Sequence, residues 1–155
     1  MNKLLTMLSR LVSEETSSTT PDPTRIASAA ACLLIEVARS DTNQADVELN
    51  QIRRILEDRF EVNKDVTDEL MIAATDQVED AHDLFQFTQV INDAFTYPEK
   101  EALLQAMWQV AYADGNLDAI EAHIIRRVAG LLHISHDDFI RIKLRVKRDS
   151  DPSSD

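Results

Sequence analysis

The sequence predicts an all-α domain, and three observations support this prediction. Glycine and proline are scarce, with 2 and 4 copies in 155 residues, so little of the chain suits the tight turns of β-hairpins. Hydrophobic residues make up 44% of the chain, which is enough for one core in a domain of this length. Several long segments repeat apolar residues with a helical period. We therefore expect a single compact bundle of about seven to eight helices.

The charge balance and cysteine count limit the class of partner. The chain has 28 acidic and 16 basic residues, a formal net charge of −12. This balance argues against nucleic-acid binding, which needs clustered Lys and Arg against phosphates. The single Cys32 excludes an internal disulfide and is typical of a reducing compartment. No apolar run is long enough to span a membrane and no secretion signal is recognisable, so we expect a cytoplasmic protein.

Helical patterns follow one another along the chain. An amphipathic helix over residues 2–15 precedes a polar, proline-containing linker at 16–23. In residues 62–78 the apolar side contains Val66, Leu70, Ile72, Ala73 and Ala74. Pro98 begins a new helix, where its missing N–H does no harm, and Ser135 begins the last. The remaining predicted helices are 24–40, 83–95, 98–113, 139–148 and one after each of the two acidic turns described below.

Residues 24–40 and 98–113 are apolar around most of their circumference. In the second segment, Glu101, Gln105 and Gln109 form one narrow polar stripe. Helices of this kind belong in the middle of a bundle. We expect these two helices to form the buried central pair, with Leu34, Ile35, Met107 and Trp108 among the packing residues.

The chain contains an internal duplication of a helix, acidic turn and helix, at an offset of 73 residues, as from Asp41 to Asp114. Two units are too few for a solenoid, so a pseudo-symmetric bundle is the better prediction. We predict one domain over residues 1–148, with repeats at about 24–60 and 97–133, and a disordered tail at 149–155. The turn positions shared by the copies are Asp41 and Asp114, Asn43 and Asn116, and Glu48 and Glu121.

The second acidic turn is the strongest candidate site. Asp114, Asn116 and Asp118 alternate along a loop, and Glu121 lies one turn into the following helix. Carboxylate and amide oxygens so spaced can converge on a hard cation such as Ca²⁺ or Mg²⁺, although Glu121 comes too early for an EF-hand. A purely structural role is the open alternative, because Asp118 and Glu121 also suit an N-cap with its capping-box partner.

The first turn resembles the second but departs from it at two positions. Thr42 replaces Gly115, and Ala45 replaces Asp118. Two equally strong sites are therefore not expected. The predicted metal ligands are Asp41, Asn43 and Glu48 in the first turn, and Asp114, Asn116, Asp118 and Glu121 in the second.

The residues around the second turn resemble the signature of the tellurite-resistance TerB family. The resemblance rests on Val110-Ala111-Tyr112-Ala113-Asp114-Gly115, on Glu121, and on Ile125-Arg126-Arg127-Val128-Ala129-Gly130-Leu131-Leu132. It implies an all-helical bacterial protein associated with resistance to tellurite and other stresses. It also implies divalent-metal binding through Asp114 and Glu121, with Asp41 and Glu48 as their counterparts.

Two hypotheses of function follow. The first is a TerB-like protein that binds or senses Ca²⁺ or Mg²⁺ in a metal or tellurite stress response. The alternative is a non-enzymatic helical module with purely structural turns, which recruits an unidentified protein partner, in one version near a membrane surface. No catalytic triad or nucleotide-binding fingerprint occurs, so we expect no enzyme activity and no other cofactor. Membrane contact is not itself predicted, and the oligomeric state is open.

Overall fold

The computed structural model describes residues 23–39, 46–80, 84–113 and 119–150, and all regular structure in these ranges is α-helical. The all-α prediction is confirmed for this part of the chain. The predicted helix at 2–15, most of its linker, and residues 151–155 lie outside the described ranges. The seven described helices are α1 (Pro23–Arg39), α2 (Asp46–Phe60), α3 (Lys64–Asp80), α4 (Phe85–Ala94), α5 (Tyr97–Ala111), α6 (Ala119–Leu131) and α7 (His136–Ser150).

Helices α1 and α5 form the centre of the bundle. Helix α1 packs against α2, α3, α4, α5 and α6, while α5 packs against α1, α2, α6 and α7. The side chains of Leu34, Ile35, Met107 and Trp108 are all buried. Burial of each large apolar side chain stabilises the fold by roughly 1.5–3 kcal/mol relative to its exposure. The predicted central pair is confirmed.

Side-chain caps explain where several helices begin. The Asn63 carboxamide oxygen accepts a hydrogen bond from the Val66 N–H at 2.8 Å, which fixes the start of α3. At α5, Thr96 and Glu99 form a capping box and Pro98 lies in the first turn. At α7, the Ser135 hydroxyl oxygen accepts from the Asp138 N–H at 3.2 Å. The two helices begin at Tyr97 and His136, within one residue of the starts predicted from Pro98 and Ser135. The Thr96 and Ser135 hydroxyl oxygens accept from backbone donors that lack partners within the helix.

Helix α7 docks on α5 through aromatic contacts. The ring of Phe139 lies 5.5 Å from that of Trp108, and the Lys143 ammonium lies 5.5 Å from the centre of the Trp108 ring. At the start of both helices, the Tyr97 hydroxyl donates to the Asp138 carboxylate at 2.6 Å. Helix α7 continues to Ser150, two residues past the predicted end of the domain.

The prediction for the apolar side of α3 was wrong at Ile72 and Ala73. Ile72 is 67% exposed, and Ala73 is also exposed. The residues that face the core are Thr67, Leu70, Met71, Ala74 and Val78. The core face, which packs against α1, is centred on Leu70 and Ala74. Ile72 is two residues from each and therefore lies about 160° away from both, on the opposite side of the helix.

Candidate functional site

Two of the seven predicted ligands lie in the described part of the chain. These are Glu48 and Glu121, and the structure buries both completely, with 0% of each side chain exposed. The other predicted ligands lie outside the described residues: Asp41, Asn43, Asp114, Asn116 and Asp118.

The two glutamates occupy the same position in their helices. Glu48 is the third residue of α2, and Glu121 is the third residue of α6. In each case the preceding residue, Val47 or Ile120, is exposed, so the helix presents its glutamate to the interior. A buried carboxylate is costly unless hydrogen bonds, a proton or a cation compensates it. Both helix starts therefore hold a carboxyl group that is out of contact with water.

The helix starts themselves favour negative charge. Backbone N–H groups in the first turn lack partners within the helix, and the helix dipole places partial positive charge there. Both effects stabilise a carboxylate at the third position by up to about 1–2 kcal/mol in a partly buried geometry.

A sequence signal for this burial exists along α6. Glu121 precedes Ile125, Val128 and Leu132 by four, seven and eleven positions, and all four residues are buried. This spacing places the glutamate on the core-facing stripe of the helix. Periodicity alone could thus have placed Glu121 in the interior, which the ligand argument from the turn did not consider.

Helices α2 and α6 begin at Asp46 and Ala119, and these starts are separated by the same offset of 73 residues that relates Asp41 to Asp114. The equal positions and equal burial of the two glutamates agree with that offset. The duplication itself stays a prediction from the sequence.

A polar cleft of about 420 Å³ is lined by residues that lie close in sequence to both turns. Val47, which follows the first turn closely, and Ala113, which directly precedes residues 114–118, both line it. Residues that adjoin the two turns in the sequence therefore line the same cleft. The sequence did not single out most of this cleft, because its lining comes from three helices. The other lining residues are Gln51, Arg54, Gln109, Tyr112, Val146 and Asp149.

The electrostatics of the cleft are mixed. Arg54 from α2 supplies a positive charge, and Asp149 from α7 supplies a negative one. Burial raises the pKa of the Tyr112 hydroxyl above its usual value, so this phenol stays protonated and can donate a hydrogen bond at neutral pH. The cleft suits a small polar ligand or ordered water better than an apolar one.

An arginine pair follows each turn in the sequence, Arg53-Arg54 on α2 and Arg126-Arg127 on α6. Arg53 pairs through its Nε with the Asp68 carboxylate on α3 at 3.1 Å, so it braces α2 against α3. Both members of this pair are substantially exposed, and such a pair contributes about 0–1 kcal/mol. Arg126 and Arg127 are exposed on α6.

Other chemistry is limited in the described ranges. Burial raises the pKa of the Cys32 thiol to about 12, so this thiol is neutral and a poor nucleophile at neutral pH. Within residues 23–39, 46–80, 84–113 and 119–150, no three His, Cys, Asp or Glu side chains are grouped closely enough to hold a metal ion. None of the helices in these ranges has the length and apolarity to span a membrane.

Comparison with protein-family models gives a match over most of the chain. Residues 27–144 match the model described as "Tellurite resistance protein TerB". The matched range includes both acidic turns and both buried glutamates. Comparison with curated proteins and with solved structures gave no significant match.

Proposed function

This chain belongs to the TerB family, and on that premise we propose that it binds a divalent cation, Ca²⁺ or Mg²⁺, at the turn between α5 and α6. The proposed role is binding or sensing of the cation in a metal or tellurite stress response in the cytoplasm, without enzyme activity. Asp114, Asn116, Asp118 and Glu121 supply the oxygen ligands.

The burial of Glu121 is the observation that supports this proposal most directly. Its side chain is fully buried at the third position of α6, and three further oxygen-bearing residues precede it within one short segment. A cation held there would neutralise the buried charge and complete its coordination with the oxygens of the turn. Buried carboxylates of this kind make binding of a hard cation favourable, because water no longer screens the attraction.

The first turn is proposed as a weaker site. Glu48 is as fully buried as Glu121, and Asp41 and Asn43 precede it. Ala45 removes one carboxylate, however, and Thr42 replaces a glycine. Fewer charged ligands bind a divalent cation less tightly.

Thermal unfolding in a cation panel tests the proposal. We expect Ca²⁺ or Mg²⁺ to raise the Tm of the parent protein above its value in EDTA, because a ligand selective for the folded state stabilises that state. The double variant Asp114→Asn with Glu121→Gln should lose this rise. The matched control is Glu99→Gln, which changes a buried glutamate at the third position of α5 and should keep the rise. An unchanged Tm of the parent protein with every ion would refute cation binding.

The second candidate function is a helical interaction module with structural turns. It is favoured by α5, where Thr96 and Glu99 form a complete capping box around a glutamate that is only 5% exposed. The chain thus buries one such glutamate in a purely structural arrangement. If this holds at α6, partners captured by the parent protein should be the same before and after chelation, and the amide variants should show equal Tm values in EDTA and in cation.

A further inference from the structure

Helix α3 exposes an acidic stripe. Asp65, Glu69, Ile72, Asp76 and Glu79 are all exposed, and at about 100° per residue they lie on one face of the helix. Ile72, at 67% exposure, occupies the centre of that face. A single exposed aliphatic residue is common on protein surfaces, so the inference depends on the acids that flank Ile72 and on their match with a second helix.

Helix α7 exposes a basic stripe that also contains one aliphatic residue. Arg141, Leu144, Arg145 and Arg148 are exposed and lie on one face, where Leu144 comes about one turn after Arg141 and one turn before Arg148. One acid, Asp137, precedes the stripe by a helical turn. In a protein with a net charge of −12, this basic surface is a local exception.

The two stripes share a spacing. In α3 the central Ile72 follows Glu69 by three positions and precedes Asp76 by four. In α7 the central Leu144 follows Arg141 by three positions and precedes Arg148 by four. An aliphatic residue flanked by charges therefore occurs on both helices, with opposite signs. Arg141 already pairs with Glu101 and Asp138, so Arg145 and Arg148 supply the remaining positive charge that complements the acidic stripe.

The acidic stripe of α3 and the basic stripe of α7 belong to helices with different packing partners in the bundle. Helix α3 packs against α1 and α2, whereas α7 packs against α5. Neither helix is among the main packing partners of the other, and the residues of both stripes are exposed. Each stripe is therefore open to another molecule.

We propose that the basic stripe of one copy of this chain binds the acidic stripe of a second copy. Ile72 of one copy then packs near Leu144 of the other, and Glu69 and Asp76 meet Arg145 and Arg148. Because two different surfaces meet, the contact is heterologous, and repetition of it builds a ring or an open chain of copies rather than a closed symmetric dimer. The small apolar centre and exposed charges make this association weak and sensitive to salt.

The alternative occupant of the basic stripe is an anionic lipid surface, and the structure favours the second copy. A helix that lies in a membrane interface inserts an apolar face. The apolar face of α7 is already buried against α5 through Phe139, Ile142 and Val146. Only Leu144 remains for insertion, and a lipid surface leaves the acidic stripe unexplained.

Sedimentation velocity of the full chain in EDTA tests the proposal independently of cation binding. At low salt the weight-average mass should rise above that of a 17.5 kDa monomer as protein concentration increases. It should return to the monomer value in about 0.5 M NaCl, where the screening length is only a few ångströms. A monomer at every concentration and salt would overturn the proposal.

Charge reversal then assigns the surfaces. Variant one carries Arg145→Glu and Arg148→Glu, which leaves Arg141 in its contacts with Glu101 and Asp138. Variant two carries Glu69→Lys and Asp76→Lys. In each variant the side chains at positions 69 and 76 have the same sign as those at 145 and 148, so each variant alone should be monomeric. An equimolar mixture should associate again, because each stripe now meets its opposite.

The matched control reverses two exposed arginines on another helix, with Arg126→Glu and Arg127→Glu on α6. It changes the net charge as variant one does and should associate as the parent does. Equal loss in this control would show a general charge effect and overturn the proposal. So would a monomeric parent whose flotation with phosphatidylserine vesicles is abolished in variant one, since the stripe would then meet lipid. Far-UV circular dichroism checks that every variant keeps its helices.

Discussion

The starts of α5 and α6 look alike in burial but differ in what precedes them. Each helix has a buried glutamate at its third position, Glu99 or Glu121. At α5, the Thr96 N–H donates to the Glu99 carboxylate at 2.7 Å, and the Glu99 N–H donates to the Thr96 hydroxyl oxygen at 3.4 Å. Two backbone donors are thereby satisfied, and no further ligand is needed.

This comparison teaches that a buried glutamate at a helix start is not by itself evidence of a metal site. What sets α6 apart is the preceding segment, where Asp114, Asn116 and Asp118 occur within five residues, whereas α5 is preceded by Phe95 and Thr96. The proposed difference in chemistry therefore depends on the extra oxygens of the turn. The predictions below test that dependence.

Substitutions that make the first turn like the second should give the largest change in cation-dependent stability. Thr42→Gly with Ala45→Asp supplies the glycine and the acid that the first copy lacks. We expect an additional cation-dependent stabilisation of up to about 2.7 kcal/mol when the ion is at about 100 times its Kd. Urea unfolding in EDTA and in cation separates this gain from any new helix cap, which would act in both conditions. A gain of equal size in EDTA would contradict ion binding at this turn.

Loss of the N-cap of α5 should lower the stability by a smaller amount, and this loss should not depend on metal. In Thr96→Ala the Glu99 N–H loses its side-chain acceptor, and the free energy of unfolding should fall by about 1 kcal/mol. The fall should be equal with and without cation. Asp118→Ala, at the corresponding position before α6, is the informative partner variant. Its cost should be larger in cation than in EDTA, and equal costs would make the α6 start a capping arrangement like that of α5.

Glu48→Gln should reduce the cation-dependent stabilisation by a smaller amount than Glu121→Gln. Both residues are fully buried, so the cost of replacing a buried carboxylate with an amide is matched, and the difference reports the neighbouring ligands. Calorimetric titration of each variant with Ca²⁺ or Mg²⁺ gives the comparison. Equal losses would mean that Ala45 and Thr42 leave the first turn unimpaired.

The first turn of α7 also contains an acidic residue that accepts hydrogen bonds, Asp138, but this one lies at the surface. Its replacement should have the smallest effect on stability. Hydrogen bonds from the Tyr97 hydroxyl, then from Arg141 and Ser135, lower the pKa of the Asp138 carboxyl. A carboxyl whose pKa is lower in the folded state stabilises it above the unfolded pKa, and this stabilisation is lost as pH falls through the folded value.

Asp138→Asn should therefore flatten the decline in stability below about pH 4, near the pKa of an unfolded Asp. Urea midpoints at neutral and acidic pH measure this decline, with Asp137→Asn as the control on the neighbouring residue. An Asp138→Asn protein that loses stability in acid as steeply as the parent would contradict this contribution.

Periodicity and capping chemistry were enough to predict most of the fold. The polar stripe of Glu101, Gln105 and Gln109 identified α5 as a central helix, because so narrow a stripe leaves most of the circumference apolar. Pro98 and Ser135 marked helix starts through local backbone chemistry. These features depend on residues close together in sequence, and short-range patterns report them well.

Features that depend on contacts between helices were harder to predict. Ile72 lies on the side of α3 opposite Leu70 and Ala74, so the spacing of the apolar residues did contain this information. The prediction was wrong because it grouped the apolar residues without separating the two sides of the helix. The cleft that joins Val47, Gln109 and Asp149 combines three helices. For the candidate site, the sequence identified both glutamates but not their complete burial, although the spacing from Glu121 to Ile125 and Val128 contained that information.

Trp108 gives this molecule a built-in optical reporter. It is the single tryptophan of the chain, fully buried between α5 and α7, and its ring centre lies 6.0 Å from that of Tyr112, just before residues 114–118. Its fluorescence should shift to longer wavelength when α7 separates from α5, since water then reaches the indole. The docking of α7 on α5 can thus be followed in the unlabelled protein.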